Sequence, residues 1–474
     1  MTPVLIWLVV FLLILVAAFV RNTATKQALL LAGSYLFYQL WGVSFLAILI
    51  VSSVCNFYLG TWLRRRPTGG RLLAGVLFNV SLLSFFKYLP AVPGASDFFH
   101  RVVMPAGMSF WTFQALSYLF DIYHEEEMDP SLLEFSLYMA FWPTVLMGPV
   151  CRLPRMLPQF REMKRISGVN LTSGLQRIGA GLFMKLVLAQ LLASALGGFE
   201  ENGRAWSGTD VWFLSMGFGF QLFFDFAGYS NIVIGAAKCF GFELPENFDS
   251  PYLSTTPSIF WTRWHMSLSS WIRDYVFIPL AALQRATWWR YITLIFSMML
   301  FGLWHGAKLT FVLWGVYQGV FLALHRLIQQ LQRRFNIGNG GKLGELSAWA
   351  ITFLGITLSW ILFRAKDVHE AVAMYGAVLS PTSYWKLELP RNYYGLLITL
   401  AAGYFLVHAI LNSTNFQRIR IYLEAPDPNP RFIQLCWNKR WWGLAPMFLI
   451  LVIFAGLLAM FQTAGVTPFI YAGF

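Results

Sequence analysis

The chain has 474 residues; 57% are hydrophobic, 18% aromatic and only 12% charged, and its mean hydropathy is +0.57. No water-soluble core hides that much apolar surface, so soluble, disordered, collagen-like and disulfide-scaffold classes are excluded, and an all-α polytopic membrane protein is predicted. The 35 Lys and Arg against 22 Asp and Glu give +13, which in a membrane protein reads as the basic bias of cytoplasmic loops rather than as nucleic-acid binding.

The first segment, Pro3 to Val20, is apolar, lacks a basic start, and has no small-residue cleavage site before Arg21; it reads as a retained transmembrane helix. Ala28 to Trp62 holds 35 residues without a charge, too many for one span, and Gly42 near its centre predicts two helices joined by a tight turn. The basic groups Arg21/Lys26 and Arg64-Arg65-Arg66/Arg71 fall on one side if Met1 starts outside. Three apolar segments follow, Leu72–Phe86, Val102–Phe120 and Phe135–Val150, before the basic loop carrying Arg152, Arg155, Arg161, Lys164 and Arg165. Three full crossings would place that loop outside, so one segment is expected not to cross. The acidic run at Glu125, Glu126 and Glu127 does not alter this, because acidic residues barely affect orientation.

Further apolar segments are Leu171–Phe199, Val211–Cys239, Tyr291–Leu324, Leu346–Phe363, Tyr393–Leu411 and Leu444–Phe461. Gly241 to Arg290 is amphipathic and rich in Trp, Arg and Ser, and too polar to span. In all, about 11 membrane-embedded helices are expected, forming one membrane domain over 1–474. No repeat is visible and the halves do not mirror each other, which counts against an inverted-repeat transporter. Cys55, Cys151, Cys239 and Cys436 show no CxxC spacing, so neither a disulfide framework nor a zinc site is expected.

Ionisable residues in apolar segments are the first functional candidates. His100, His124, His325 and His369 sit at segment ends or in polar loops, and His408 reads as a packed helix residue. His305 lies in Gly302-Leu303-Trp304-His305-Gly306-Ala307, where flanking glycines allow a ligand or another backbone to approach. An imidazole enclosed there is neutral and able to accept a proton, which suits a general base; a helix-bonding histidine is the other reading. His265 lies in Arg263-Trp264-His265-Met266-Ser267, amid Trp261, Trp264 and Trp271, a pattern that also fits an interfacial helix with Arg263 and Arg273 near headgroups. Asp225, in Phe224-Asp225-Phe226-Ala227-Gly228-Tyr229-Ser230, needs a cationic partner or a proton. No P-loop, zinc-ligand spacing or nucleophile elbow is present.

Three blocks together resemble the membrane-bound O-acyltransferase family, in particular its bacterial alginate O-acetylation branch. They are the Asp225 block; Leu244-Pro245-Glu246-Asn247-Phe248 continuing through Pro251-Tyr252-Leu253 and Phe260 to Leu280; and the Trp304-His305 block with Phe311 to Gly315. Weaker echoes are Met108-Ser109-Phe110, Thr112-Phe113-Gln114, Gly148-Pro149 with Arg152, and Pro468-Phe469-Ile470-Tyr471. The signature core is about 220–320. Two stretches depart from the branch: Ala281-Ala282-Leu283-Gln284-Arg285 after Pro279-Leu280, and Lys308-Leu309 after the histidine block.

The resemblance implies a ring of tilted helices with re-entrant and amphipathic segments around a central tunnel. It implies acyl transfer, with His305 matching the catalytic histidine and His265 the second signature histidine. Trp304, Asp225, Asn247, Arg263, Arg273 and Asp274 then become supporting or tunnel residues. No metal and no bound cofactor are implied. The implied donor is a cytoplasmic thioester, acetyl-CoA, which Arg152, Lys164 and Arg165 could attract. The implied acceptor is an exported envelope polysaccharide such as alginate, or an acetyl-accepting partner protein that is periplasmic or membrane-anchored. The implied location is the bacterial inner membrane. Two alternatives stand beside this: a teichoic-acid D-alanyl transferase fed by a carrier-protein thioester, and, from another class, a polysaccharide transporter or flippase.

Overall fold

The computed structural model describes residues 22–92, 102–124, 128–163, 167–196, 206–336 and 340–411, apart from a few single positions. The expected helix Leu444–Phe461, Cys436, the Pro468–Tyr471 echo, Glu125–Glu127, His100, Lys164 and Arg165 lie outside the described residues, as does the expected first span Pro3–Val20 except for Val16 and Val20. Among the described residues the structure is helical, with one isolated antiparallel bridge between Phe248 and Trp264. Among the described residues, seven helices are long and apolar enough to cross a membrane: Val43–Arg65, Gly69–Ala91, Gly168–Ala195, Gly208–Cys239, Leu309–Arg334, Gly341–Arg364 and Arg391–Ile410. This is a multi-pass membrane protein.

The chain forms two compact units. The first comprises Met1–Leu175, Val233–Asn247 and His265–Ala307. Its opening helices, α1 (Thr23–Tyr38) and α2 (Val43–Arg65), meet at Gly42, whose φ of +141° suits glycine and few other residues. The turn read from the uncharged 35-residue run is therefore present. Of the next three apolar segments, only α3 (Gly69–Lys87, continuing through Ala91) is long enough to cross on its own. The second forms α4 (Met108–Tyr123, 16 residues) and the third α5 (Leu132–Ala140, nine residues). At 1.5 Å per residue, α5 spans about 14 Å, roughly half the hydrocarbon thickness. This is the physical reason that a count of apolar segments fails as a count of crossings.

Helix α4 is the centre of this unit and packs against α2 and α3. Glycines set the approach: a Cβ on Gly60 would overlap the Tyr118 ring, and one on Gly75 would lie 2.7 Å from Leu119. Helices α2 and α3 are joined by Asn56 and Asn79, buried amides that donate to each other at 3.1 and 2.6 Å. Such side-chain bonds hold helices together where lipid supplies no hydrophobic drive. Before α4, Gly107 has φ +72°, and a Cβ there would sit 1.9 Å from the Val145 carbonyl oxygen. That contact seats the non-helical stretch after α5 against the start of α4. Helix α5 opens with a capping box in which Ser131 and Glu134 bond reciprocally. Arg161, from the amphipathic α6 (Leu153–Glu162), pairs with Glu134 at 2.8 Å. Burial works to raise the Glu134 carboxyl, but hydrogen bonds from Arg161 and Ser131 outweigh it and hold it below the ordinary value.

The second unit comprises Gln176–Ile232, Phe248–Trp264 and Lys308–Phe474. Helices α7 (Gly168–Ala195) and α8 (Gly208–Cys239) approach within it at Gly181 and Gly228, where a Cβ on Gly181 would lie 2.5 Å from the Gly228 carbonyl oxygen. A π-helical turn over Met184–Ala189 interrupts α7 beside this contact and carries Lys185. Its core is aromatic: Trp264 lies 5.2 Å from Trp360 and stacks on Phe260 at 5.5 Å, and Trp314 stacks on Trp360 at 6.1 Å.

The run Tyr291–Leu324, read as a single apolar segment, is broken. Helix α9 (Thr287–His305) ends at His305, and α10 (Leu309–Arg334) begins after three non-helical residues. Gly306 caps the break by donating its N–H to the Leu303 carbonyl at 3.1 Å. The histidine block thus marks a helix terminus rather than a helix centre.

Candidate active site

The two signature histidines lie in the same unit, although they are 40 positions apart. His305 is 2% exposed and His265 fully buried. The Trp304 ring stands 4.7 Å from the His305 ring and 6.4 Å from the His265 ring. Phe301 lies 5.3 Å from His305, and Phe110 and Phe113 of α4 lie 5.9 and 5.5 Å from Trp304. Phe113 also contacts Trp271, whose Nε1–H donates to the Phe113 carbonyl at 3.0 Å. The imidazoles therefore sit in an aromatic surround built from α4, α9 and the helix Met266–Ile272.

His265 precedes that helix with φ +43° and ψ +52°, a left-handed backbone that costs a non-glycine residue about 1–3 kcal/mol. Asn247 over-determines this conformation. Its carbonyl accepts from Met266 N at 2.9 Å. Its side-chain Oδ1 accepts from Ser267 Oγ at 2.6 Å, from Ser267 N at 3.4 Å, and faces His265 Nδ1 at 3.3 Å. A backbone N–H can only donate, which fixes this amide atom as oxygen. His265 Nδ1 therefore carries the proton, and Nε2 keeps the lone pair. Burial pushes the His265 imidazole down to about 3, with a backbone hydrogen bond opposing, so it is neutral at physiological pH. Ser267 Oγ in turn accepts from Val150 N at 3.0 Å, tying the loop after α5 to the same point.

The structure brings together His305, His265, Trp304 and Asn247. Arg273 and Asp274 belong to the same unit, where Asp274 pairs with Arg152 at 2.5 Å and with Arg273 at 2.7 Å. Burial works to raise the Asp274 carboxyl, and bonds from Arg273 and Arg152 hold it below the ordinary value. Arg152, expected as a donor-attracting charge, is thus engaged in this cluster and also lies over the Tyr275 ring at 5.0 Å. Asp225 and Arg263 belong to the second unit. Asp225 forms an ion pair with Lys185, the cationic partner its setting called for. The Arg263 carbonyl accepts from Asp249 N at 3.0 Å. Among the described residues no group of three or more His, Cys, Asp and Glu could hold a metal ion.

Sequence reading passed over Lys87. It closes α3, and its ammonium lies over the Trp304 ring, 5.3 Å from the centroid. Next to it, Tyr88 donates its hydroxyl to the Leu303 carbonyl at 3.1 Å, docking this end of α3 onto the end of α9. The available signal was a lysine directly after the apolar run Leu72–Phe86.

Residues 28–364, which include both histidines, match the profile of the membrane-bound O-acyltransferase family. The chain belongs to that family. A second profile, of a family of unknown function (DUF5989), matches residues 432–474, outside the described residues. Similar proteins include the probable alginate O-acetylase AlgI of Pseudomonas putida, 31% identical over 95% of this chain and 94% of the relative. The peptidoglycan O-acetyltransferase of Helicobacter pylori is 31% identical over 75% of this chain and 74% of its own. The teichoic acid D-alanyltransferase of Streptococcus thermophilus is 31% identical over 59% of this chain and 72% of its own. The protein is thus an O-acyltransferase, and the transporter alternative falls away.

Proposed function

We propose that this O-acyltransferase takes an acetyl group from a cytoplasmic thioester, acetyl-CoA, and passes it across the bacterial inner membrane for O-acetylation of an exported envelope polysaccharide such as alginate. The acceptor hydroxyl belongs to the polymer or to a periplasmic or membrane-anchored partner protein that relays the acetyl group. The whole chain, 1–474, acts as one membrane domain with its signature core at about 220–320. The observation that carries the reading is the burial of His305 beside Trp304, in the same unit as a second buried histidine whose Nδ1 faces Asn247 Oδ1.

In this mechanism His305 takes the proton from the acceptor hydroxyl as its oxygen attacks the thioester carbonyl. The tetrahedral intermediate carries the negative charge on the former carbonyl oxygen. On collapse the C–S bond breaks, the ester forms, and the leaving thiolate takes the proton from the His305 imidazolium. His265, neutral and with Nε2 as acceptor, orients the acceptor hydroxyl or lines the donor path. Asn247 acts through His265 as a positioning residue. Trp304 packs between the two imidazoles, closer to His305, and the Arg152–Asp274–Arg273 cluster fixes the turn that follows Trp271.

The test is donor competition in lipid nanodiscs. Consumption of acetyl-CoA by the purified protein supports the acetyl reading. Inertness toward acetyl-CoA together with turnover of a carrier-bound D-alanyl thioester would replace it with the D-alanyl alternative. The alignment favours the acetyl reading, because the alginate O-acetylase relative matches 95% of this chain and the D-alanyltransferase relative 59%.

A further inference from the structure

Lys87 lies within the membrane span Gly69–Ala91, where an ammonium is expensive unless it is compensated. Among the described residues no carboxylate pairs with it; the ion pairs of its unit are Arg64–Asp129, Arg161–Glu134 and the Arg152–Asp274–Arg273 cluster. Asp121, the buried carboxylate of α4, receives the Tyr275 hydroxyl at 2.5 Å instead. What Lys87 does have is the face of Trp304 at 5.3 Å. A cation–π contact of that kind is worth about 0.5–2 kcal/mol, less than an ammonium loses on leaving water. The Lys87 charge also acts electrostatically on His305. A positive charge is thus held, without a resident counter-ion among the described residues, against the tryptophan that precedes the histidine of acyl transfer.

We propose that Lys87 is the anion subsite of the reaction: its ammonium receives a negatively charged oxygen of the substrate while His305 handles the proton. This rests on the acyl-transfer reading above. That oxygen has two possible sources, the oxyanion that forms on the thioester carbonyl during transfer and a permanent anionic group of the donor or acceptor. Either one completes a pair that the free enzyme leaves open. The proton and the leaving thiolate follow the route already given, and Lys87 neither gains nor loses a proton.

The experiment compares Lys87→Met and Lys87→Arg with wild type, full-length and in nanodiscs, with acetyl-CoA as probe. Methionine keeps most of the side-chain stem and removes the charge. Turnover in Lys87→Met is expected to fall about 10²-fold, the usual effect of deleting one oxyanion donor. Turnover in Lys87→Arg is expected to stay within about tenfold of wild type, because the cation is retained. A fall in kcat at unchanged KM assigns the oxyanion, and a rise in KM assigns a permanent anion. The thermal midpoint of Lys87→Met is expected to equal or exceed that of wild type, since an uncompensated charge has been removed from the membrane. The proposal is overturned if Lys87→Met keeps kcat and KM within twofold of wild type. It is equally overturned if both variants lose activity together with a lowered midpoint, which is the signature of a packing residue. Absence of turnover in wild type would instead overturn the acetyl-donor reading, while the midpoint of Lys87→Met would still report on the open charge.

Discussion

Asn247→Ala probes how the site is built. The change removes one oxygen that serves three buried donors: Ser267 Oγ, Ser267 N and His265 Nδ1. The Ser267 hydroxyl can rotate, whereas the backbone N–H and the ring N–H cannot. Leaving the Ser267 backbone N–H without this acceptor costs about 1–3 kcal/mol, and its length of 3.4 Å places the cost near the lower end. The Met266-to-Asn247 backbone bond survives the substitution, so the loop keeps its join. Turnover should fall further than stability alone explains, by about 10²-fold or more, because the His265 tautomer and the left-handed turn both lose their restraint. Ser267→Ala is the control. It deprives Val150 N of its acceptor and lowers stability similarly, yet leaves the His265–Asn247 contact intact. Thermal midpoints and acetyl-CoA turnover of both variants in nanodiscs decide the point. Equal turnover in the two would refute the argument that Asn247 acts through His265.

The membrane joint between α2 and α3 predicts a strongly non-additive pair: Asn56→Leu or Asn79→Leu alone should destabilise by about 1–2 kcal/mol, and the double variant by much less, since no amide is then left unpaired. A double-mutant cycle on thermal stability measures this. The Glu134 carboxyl is held below its ordinary value in the folded protein, so its contribution is present above the unfolded carboxylate range and lost as pH falls through the folded value. Glu134→Gln should therefore flatten the acid side of the stability-versus-pH curve and leave the neutral side lower; an unchanged acid limb would show that the Arg161 pair carries none of it.

Much of this architecture was legible in residue order, and the failures have definite causes. Gly42 announced its turn because an uncharged run longer than a bilayer must reverse somewhere. The basic loop after residue 150 already required one segment over 72–150 not to cross, but which one was not legible, because α4 and α5 are both sheltered by protein: 14 residues of α4 are buried, so apolarity there reports a core and not a lipid-facing span. The break after His305 was hidden by equally apolar residues on both sides. The histidines stood out through their motifs, but the bonds to Asn247 link positions 18 and 20 apart through a left-handed residue, which no periodicity encodes. Lys87 was missed because a lysine closing an apolar run normally looks like a span end at the headgroups. The docking of Tyr88 on Leu303 and the seat of the ammonium over Trp304 show that this end faces the histidine block.

The central claim is that His305 carries acyl transfer, and it is tested most directly by incubating wild type and His305→Ala in nanodiscs with radiolabelled acetyl-CoA. The account predicts slow wild-type hydrolysis of the donor even without acceptor, and loss of that turnover in His305→Ala at equal expression and equal thermal midpoint. Turnover by His305→Ala at the wild-type rate would contradict it.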